Sequence, residues 1–247
     1  MSLTRFSLAG LAVAFVGAAA RDAGADPLTI STATTTPVVT SNAANASAGD
    51  VTITAAGSIA ITAGQTAVTV DSNNNVTNSG VISSNDVNDV IGIFIQGGFA
   101  GPLEIRNTGT ISLLENHTQT DTDSDGNLDG PIAIGDNRHA IWLQAGPGFI
   151  GDINHTGVIT VEGMNSGGIR LDALVTGDVN TSAASSISVF GENSTAVAIN
   201  GGAGAGVNGD VRIASNVTAR GENAVGLLVD APITGALRLG GNWVVSG

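Results

Sequence analysis

The 247-residue chain has no cysteine and no tyrosine, and because all eight basic residues are arginine it has no lysine either. Without cysteine there is neither a disulfide framework nor a thiolate metal site. Aromatic residues make up only 3% of the chain. A core must therefore be filled with Val, Ile, Leu and Ala, which suit thin, regularly stacked sheets better than a thick globular interior. Charged residues are scarce too, at 12%, with a net charge of -13. Such a chain has no basic surface with which to neutralise phosphates, so nucleic acid is excluded as a partner.

What is present begins with "MSLTRFSLAGLAVAFVGAAARDAGADP", which carries one early Arg, an apolar run from Phe6 to Ala20 and then small residues. This is the layout of a secretory signal peptide, here predicted over residues 1–25. Two Ala-x-Ala cleavage sites compete, ending at Ala20 and Ala25, and the second lies just before Asp26-Pro27. The apolar run is shorter than the roughly 20 residues a spanning helix needs. Export is the expectation.

Beyond it the chain repeats. One row places a small residue before an apolar-x-apolar pair and a polar stop: "AVTVD" at Ala67, "GIFIQ" at Gly92, "AIWLQ" at Ala140, "GIRLD" at Gly168, "AVAIN" at Ala196 and "GLLVD" at Gly226, at intervals of 25, 48, 28, 28 and 30. A second row sets Gly shortly before an apolar residue, at Gly101, Gly151, Gly177, Gly209 and Gly235. A third reads "GSI" at Gly57, "NSGVI" at Asn78, "NTGTI" at Asn107 and "HTGVI" at His155. Each unit thus holds up to three short segments of alternating pattern, which indicates half-buried strands rather than helices.

Such strands cannot bury an apolar face alone, but stacked coil on coil they share one core. The fold class expected is all-β, a right-handed parallel β-helix of six or seven coils. An antiparallel sandwich has similar turn spacing but would not explain why side-chain type recurs at one phase. The organisation predicted is an N-terminal cap and first coil over 26–60 and the β-helix over 61–247. The single double interval implies a loop insertion over 114–131, at a turn, where solenoids accommodate extra chain.

These rows, in particular "GPLEIRNTGTI", "GFIGDINHTGVITVEGMNSGGIRL" and "GENSTAVAINGGAGAGVNGDV", resemble passenger regions of bacterial type V autotransporters. The resemblance covers nearly all of the chain after the signal peptide, through short and degenerate motifs. It implies a passenger β-helix exported with the help of an outer-membrane translocator barrel, as a partner, and displayed at the bacterial cell surface or released. The sequence given stops at "GGNWVVSG" and contains no segment matching that barrel.

Three features could carry chemistry. The inserted stretch "TDTDSDGNLDGP" sets Asp121, Asp123, Asp125, Asn127 and Asp129 around Gly126. Hard cations take six to eight oxygens, so alternate carboxylates about a glycine turn suit Ca2+. An EF-hand is disfavoured, because its twelfth position, a bidentate Glu, is here Ile132. The plain alternative is a solvated acidic loop, and Asp136 is a further candidate ligand. Second, Asp152, Asp178 and Asp210 share one phase in successive coils. They would repel unless solvated, protonated or bridged. Clustered carboxylates are also how polysaccharide lyases on β-helices abstract a proton, although Gly-Asp at a turn more commonly bonds backbone N–H groups. Third, Phe94 and Trp142 occupy the outward phase of the first row with Arg170 in the next coil, a binding candidate for a sugar or a protein. Trp142 packed against Arg170, or covered by the loop, is the alternative. His117, His139 and His155 share no phase with a nucleophile or a metal-ligand spacing.

The functional expectation is a non-enzymatic structural or adhesive passenger segment whose partner is a host-surface or matrix glycan or protein, or another copy of itself. A β-helical polysaccharide lyase or hydrolase and a calcium-dependent self-assembling surface protein are the alternatives.

Overall fold

A computed structural model describes residues 27–247. The signal-peptide segment over 1–25 lies outside the described residues. The chain winds as a parallel β-solenoid with three sheets along its length. One full turn runs Phe149–His155, Val158–Glu162 and Gly167–Leu171. Strands of successive turns pair in parallel, so like segments lie on like. The second sheet and the main path of the ten-stranded first sheet each hold one strand from each of eight successive turns, Leu174–Thr176 and Gly206–Asn208 pair beside that path, and the third sheet holds seven strands. Eight turns exceed the six or seven expected because the last, with Leu237–Leu239 in the first sheet and Trp243–Ser246 in the second, adds no strand to the third sheet whose row set the count. At the ~4.8 Å strand spacing the rod is roughly 34 Å long.

The three rows of the sequence map onto the sheets one to one. The small-apolar-x-apolar row is the third sheet, the glycine-apolar row the first, and the Gly, Asn or His row opens strands of the second. Their inward residues stack in columns. One reads Val68, Ile93, Ile141, Ile169 and Val197 in the third sheet, and another Ile59, Ile82, Ile111, Ile159, Ile187 and Val217 in the second. All of these are fully buried. Each buried side chain of this size contributes about 1.5–3 kcal/mol, and among the described residues Phe149 is the one fully buried aromatic in this interior.

Close stacking restricts the corners. A Cβ on Gly177, Gly209 or Gly235 would lie 2.1–2.3 Å from the carbonyl oxygen of the glycine one turn below. The repeated glycine of the first sheet is thus set by the approach of backbone to backbone. At the corner from the second to the third sheet, Asp89, Asn137, Asn165, Asn193 and Asn223 all adopt φ between 51° and 57°, the left-handed conformation that Asn and Asp tolerate best among side-chain-bearing residues.

A buried polar column runs through the corner between the first and second sheets. Asn78 donates from Nδ2 to Oδ1 of Asn107 at 2.8 Å, and Asn107 Nδ2 lies 3.0 Å from Nδ1 of His155. His155 Nε2 lies 3.1 Å from the carbonyl of Ser186, which can only accept. The ring therefore carries its proton on Nε2 and accepts at Nδ1, so the column has a single direction. Burial holds the His155 pKa below its ordinary value, against the opposing pull of the Ser186 carbonyl. Replacing Asn107 by Val should leave Nδ1 of His155 without a donor and Nδ2 of Asn78 with only the Thr110 carbonyl, and cost about 1–3 kcal/mol in urea unfolding. A loss under about 0.5 kcal/mol, within the range of an ordinary surface substitution, would mean that the column contributes nothing.

Candidate functional site

The outward face of the third sheet is where the unusual side chains gather. Phe94, Trp142, Arg170 and Ala198 occupy paired positions in four successive turns. Phe94 meets Trp142 edge to face, with centroids 5.5 Å apart, and the Arg170 guanidinium lies 4.8 Å from the Trp142 ring centre. His139, from the other outward row, packs against the same indole at 5.0 Å. All three predicted binding residues are thus brought together. They are half-buried rather than freely exposed, each covered by its neighbour in the adjoining turn.

Asp172 fixes this group. Its carboxylate accepts the indole N–H of Trp142 at 2.8 Å, Nε of Arg170 at 2.9 Å and Nδ2 of Asn200 at 2.5 Å. Burial acts to raise the Asp172 carboxyl, but the hydrogen bonds from Arg170, Asn200 and Trp142 outweigh it and hold the group below the usual carboxylate range. Asp172 and Asn200 are the polar stops of "GIRLD" and "AVAIN". The sequence displayed them, but only side-chain geometry shows that they converge.

The insertion occupies the corner before the third sheet, between strands Thr110–Leu114 and Arg138–Leu143. Its base is closed by an ion pair that the sequence reading did not find. Arg138, 1% exposed, donates to Glu115 at 3.1 Å and also to the carbonyls of Val87 and Glu162. Glu115 in turn accepts the N–H groups of Ile134 and Gly135. The available signal was Arg138 itself, standing at the phase occupied by Ser166 in the next turn. The loop's tethers run to Asp86 and Asn88 of the preceding corner. Among the described residues, no hydrogen bond joins the loop to Phe94 or Trp142.

Within the loop, carboxylate oxygens of Asp121, Asp123 and Asp129 lie within 4.8 Å of one another. Asp125 and Asn127 are instead paired to each other, at 2.8 Å through the Asn127 N–H and 3.1 Å through its side chain. Asp129 accepts both the N–H and the hydroxyl of Thr122. Hydrogen bonds from Asn127 lower the pKa of Asp125, and those from Thr122 lower that of Asp129. The loop is thus an ionised, exposed turn in which three of the five predicted ligands converge.

The aspartate row stacks as expected but is committed elsewhere. Asp152 accepts the N–H of Asp178, Asp178 that of Asp210, and Asp210 that of Ala236, each at 2.8 Å. Arg238 also pairs with Asp210 at 2.8 Å. Each carboxylate serves the backbone of the next turn, the structural alternative to a catalytic cluster. With these arrangements in view, comparison with known proteins finds no matching family model, no matching curated protein and no matching solved structure.

Burial, reinforced by the nearby Arg170 charge, lowers the His139 pKa to about 4, against opposing contributions from Asp172 and Asp136. The unfolded chain, with an ordinary value near 6.5, takes up the proton first as pH falls. Stability should therefore decline between pH ~6.5 and ~4, by about 3 kcal/mol from this residue, and this histidine contributes no further loss below that. Urea midpoints measured across the window in the native chain and in His139→Gln check it. The variant should show a visibly shallower acid decline, and identical slopes would refute the assignment.

Proposed function

We propose that the chain is a non-enzymatic passenger segment of the type V autotransporter kind, exported and displayed at the bacterial cell surface or released from it. Its role is structural and adhesive, with a glycan or protein of a host surface or matrix as partner, and with export through a separate or contiguous outer-membrane barrel. The observation that carries this reading is the use of the aspartate row. The carboxylates that would have to abstract a proton in a polysaccharide lyase are engaged by the N–H groups of the next turn. The conspicuous outward group is instead the Phe94, Trp142 and Arg170 cluster, a preorganised contact surface of the kind recognition sites use.

Intact producing cells treated with protease or labelled with antibody should show the chain outside. Polygalacturonate and alginate incubated with the purified protein should give no unsaturated product. Retention inside the cell, or any unsaturated uronate, overturns the reading.

Calcium at the acidic loop is the second part of this proposal, favoured by the convergence of Asp121, Asp123 and Asp129. Three carboxylates on one exposed turn suit the weak, millimolar class of extracellular calcium sites. Titration calorimetry should give saturable heat with calcium that is lost in Asp121→Asn/Asp129→Asn. Absence of heat at millimolar calcium ends the idea.

A further inference from the structure

Beyond Trp142, the outward face of the third sheet changes character. Gly167 and Thr195 continue the row of His139, and Ala198 continues that of Trp142 and Arg170. Small residues follow large ones, and a cleft of about 500 Å³ opens there. It falls within the ~300–1,000 Å³ usual for small-ligand sites. Its walls come from the short segment after Gln144 and from Gly201, Gly202 and Ala203.

The polar groups facing the cleft are mixed in kind and balanced in charge. Arg170 uses Nε on Asp172, and its two Nη groups make no hydrogen bond among the described residues. Asn200 donates to Asp172 through Nδ2, which leaves its carbonyl oxygen as an acceptor beside those Nη donors. Thr195 adds a hydroxyl from the adjoining row. The cleft thus holds both donors and acceptors beside an ion pair that is already neutralised.

An independent observation lies at its floor. His139 is 2% exposed, and its Nδ1 has no hydrogen-bond partner. Nε2 sits 3.1 Å from Oδ1 of Asn137, which can only accept, so the ring proton is on Nε2 and Nδ1 is a bare acceptor. Nδ1 is turned to Gly167, where a Cβ would stand 3.0 Å from it. A buried acceptor without a donor asks for a partner, and the ring that carries it lines the cleft.

We infer that this cleft binds a neutral oligosaccharide. Hydroxyl groups both donate and accept, so a sugar ring can meet the Arg170 Nη groups, the Asn200 carbonyl and the Thr195 hydroxyl together, and give a proton donor to His139 Nδ1. An acidic sugar fits less well, because Asp172 already neutralises Arg170 and the chain's net charge of -13 repels polyanions. The inference deepens the adhesive reading above and rests on it.

The test is calorimetric titration of the full chain with trisaccharides of glucose, galactose and N-acetylglucosamine, and with trigalacturonate. Two variants probe the site without touching its ion pair. At Gly202 an added Cβ meets nothing closer than 3.8 Å, so the backbone there accepts a side chain and Gly202→Phe sets a ring at the cleft wall, and Thr195→Val removes one hydroxyl at constant shape. At least one neutral trisaccharide should bind with a millimolar or lower dissociation constant. Gly202→Phe should weaken it at least tenfold with the thermal unfolding unchanged, and Thr195→Val should weaken it severalfold. Should Gly202→Phe fail to fold, Thr195→Val decides alone. The inference is overturned if no neutral trisaccharide binds, if the variants bind as tightly as the parent chain, or if trigalacturonate binds best. Any of these results on a chain that is surface-displayed and inert toward uronates removes the ligand assignment alone. Retention inside the cell or lyase activity removes the underlying reading, whatever the calorimeter records.

Discussion

The parallel backbone pairing between one turn and the next governs this molecule. Because the pairing is in register over three sheets, each residue sits directly above its counterpart, about one strand spacing away. For apolar residues this is favourable without further arrangement, and columns of Ile and Val form the core. For charged and other polar residues it is a problem that each column has to solve. The aspartates solve it by accepting the N–H of the turn above, and the asparagine column does so by passing a hydrogen bond along to a neutral histidine.

The same constraint explains how the outward face of the third sheet becomes specialised. Stacking places Phe94, Trp142 and Arg170 in contact although nearly 80 residues separate the first from the last in sequence. Asp172 ties the three turns together, since it holds Trp142 of the turn before, Arg170 of its own and Asn200 of the turn after. A cluster of large side chains on the face of a solenoid therefore needs no loops to assemble it. It needs only that one column depart from the small residues found elsewhere.

Much of the fold was legible because the repeat period is also the pairing register. The row beginning at Ala67 marked the third sheet turn by turn, and the double interval before Ala140 located the insertion. The first coil was placed within 26–60, but not strand by strand, since its Val38–Val39 strand lacks the small residue and polar stop that define the row. At the site, Phe94, Trp142 and Arg170 followed from phase alone. Phase did not reveal that Trp142 donates to Asp172, or that His139 lies at the floor of a cleft, because those facts depend on rotamers and on which neighbours are small. Glu115 and Arg138 were missed for a related reason. They are 23 positions apart, and their pairing requires the loop between them to leave the coil and return to the same point.

That return has a consequence for chain entropy. Because Glu115 is held by Arg138 and by the N–H groups of Ile134 and Gly135 at one buried point, the solenoid depends little on the exposed stretch over 118–130 that lies between. The free energy of closing a flexible loop rises only as the logarithm of its length, by about 0.6 kcal/mol for each doubling. The corner can therefore lengthen, shorten or exchange its acidic sequence with little effect on the turns above and below. The clasp makes this position a socket, where the protein can vary its outer surface while the rod beneath keeps its register.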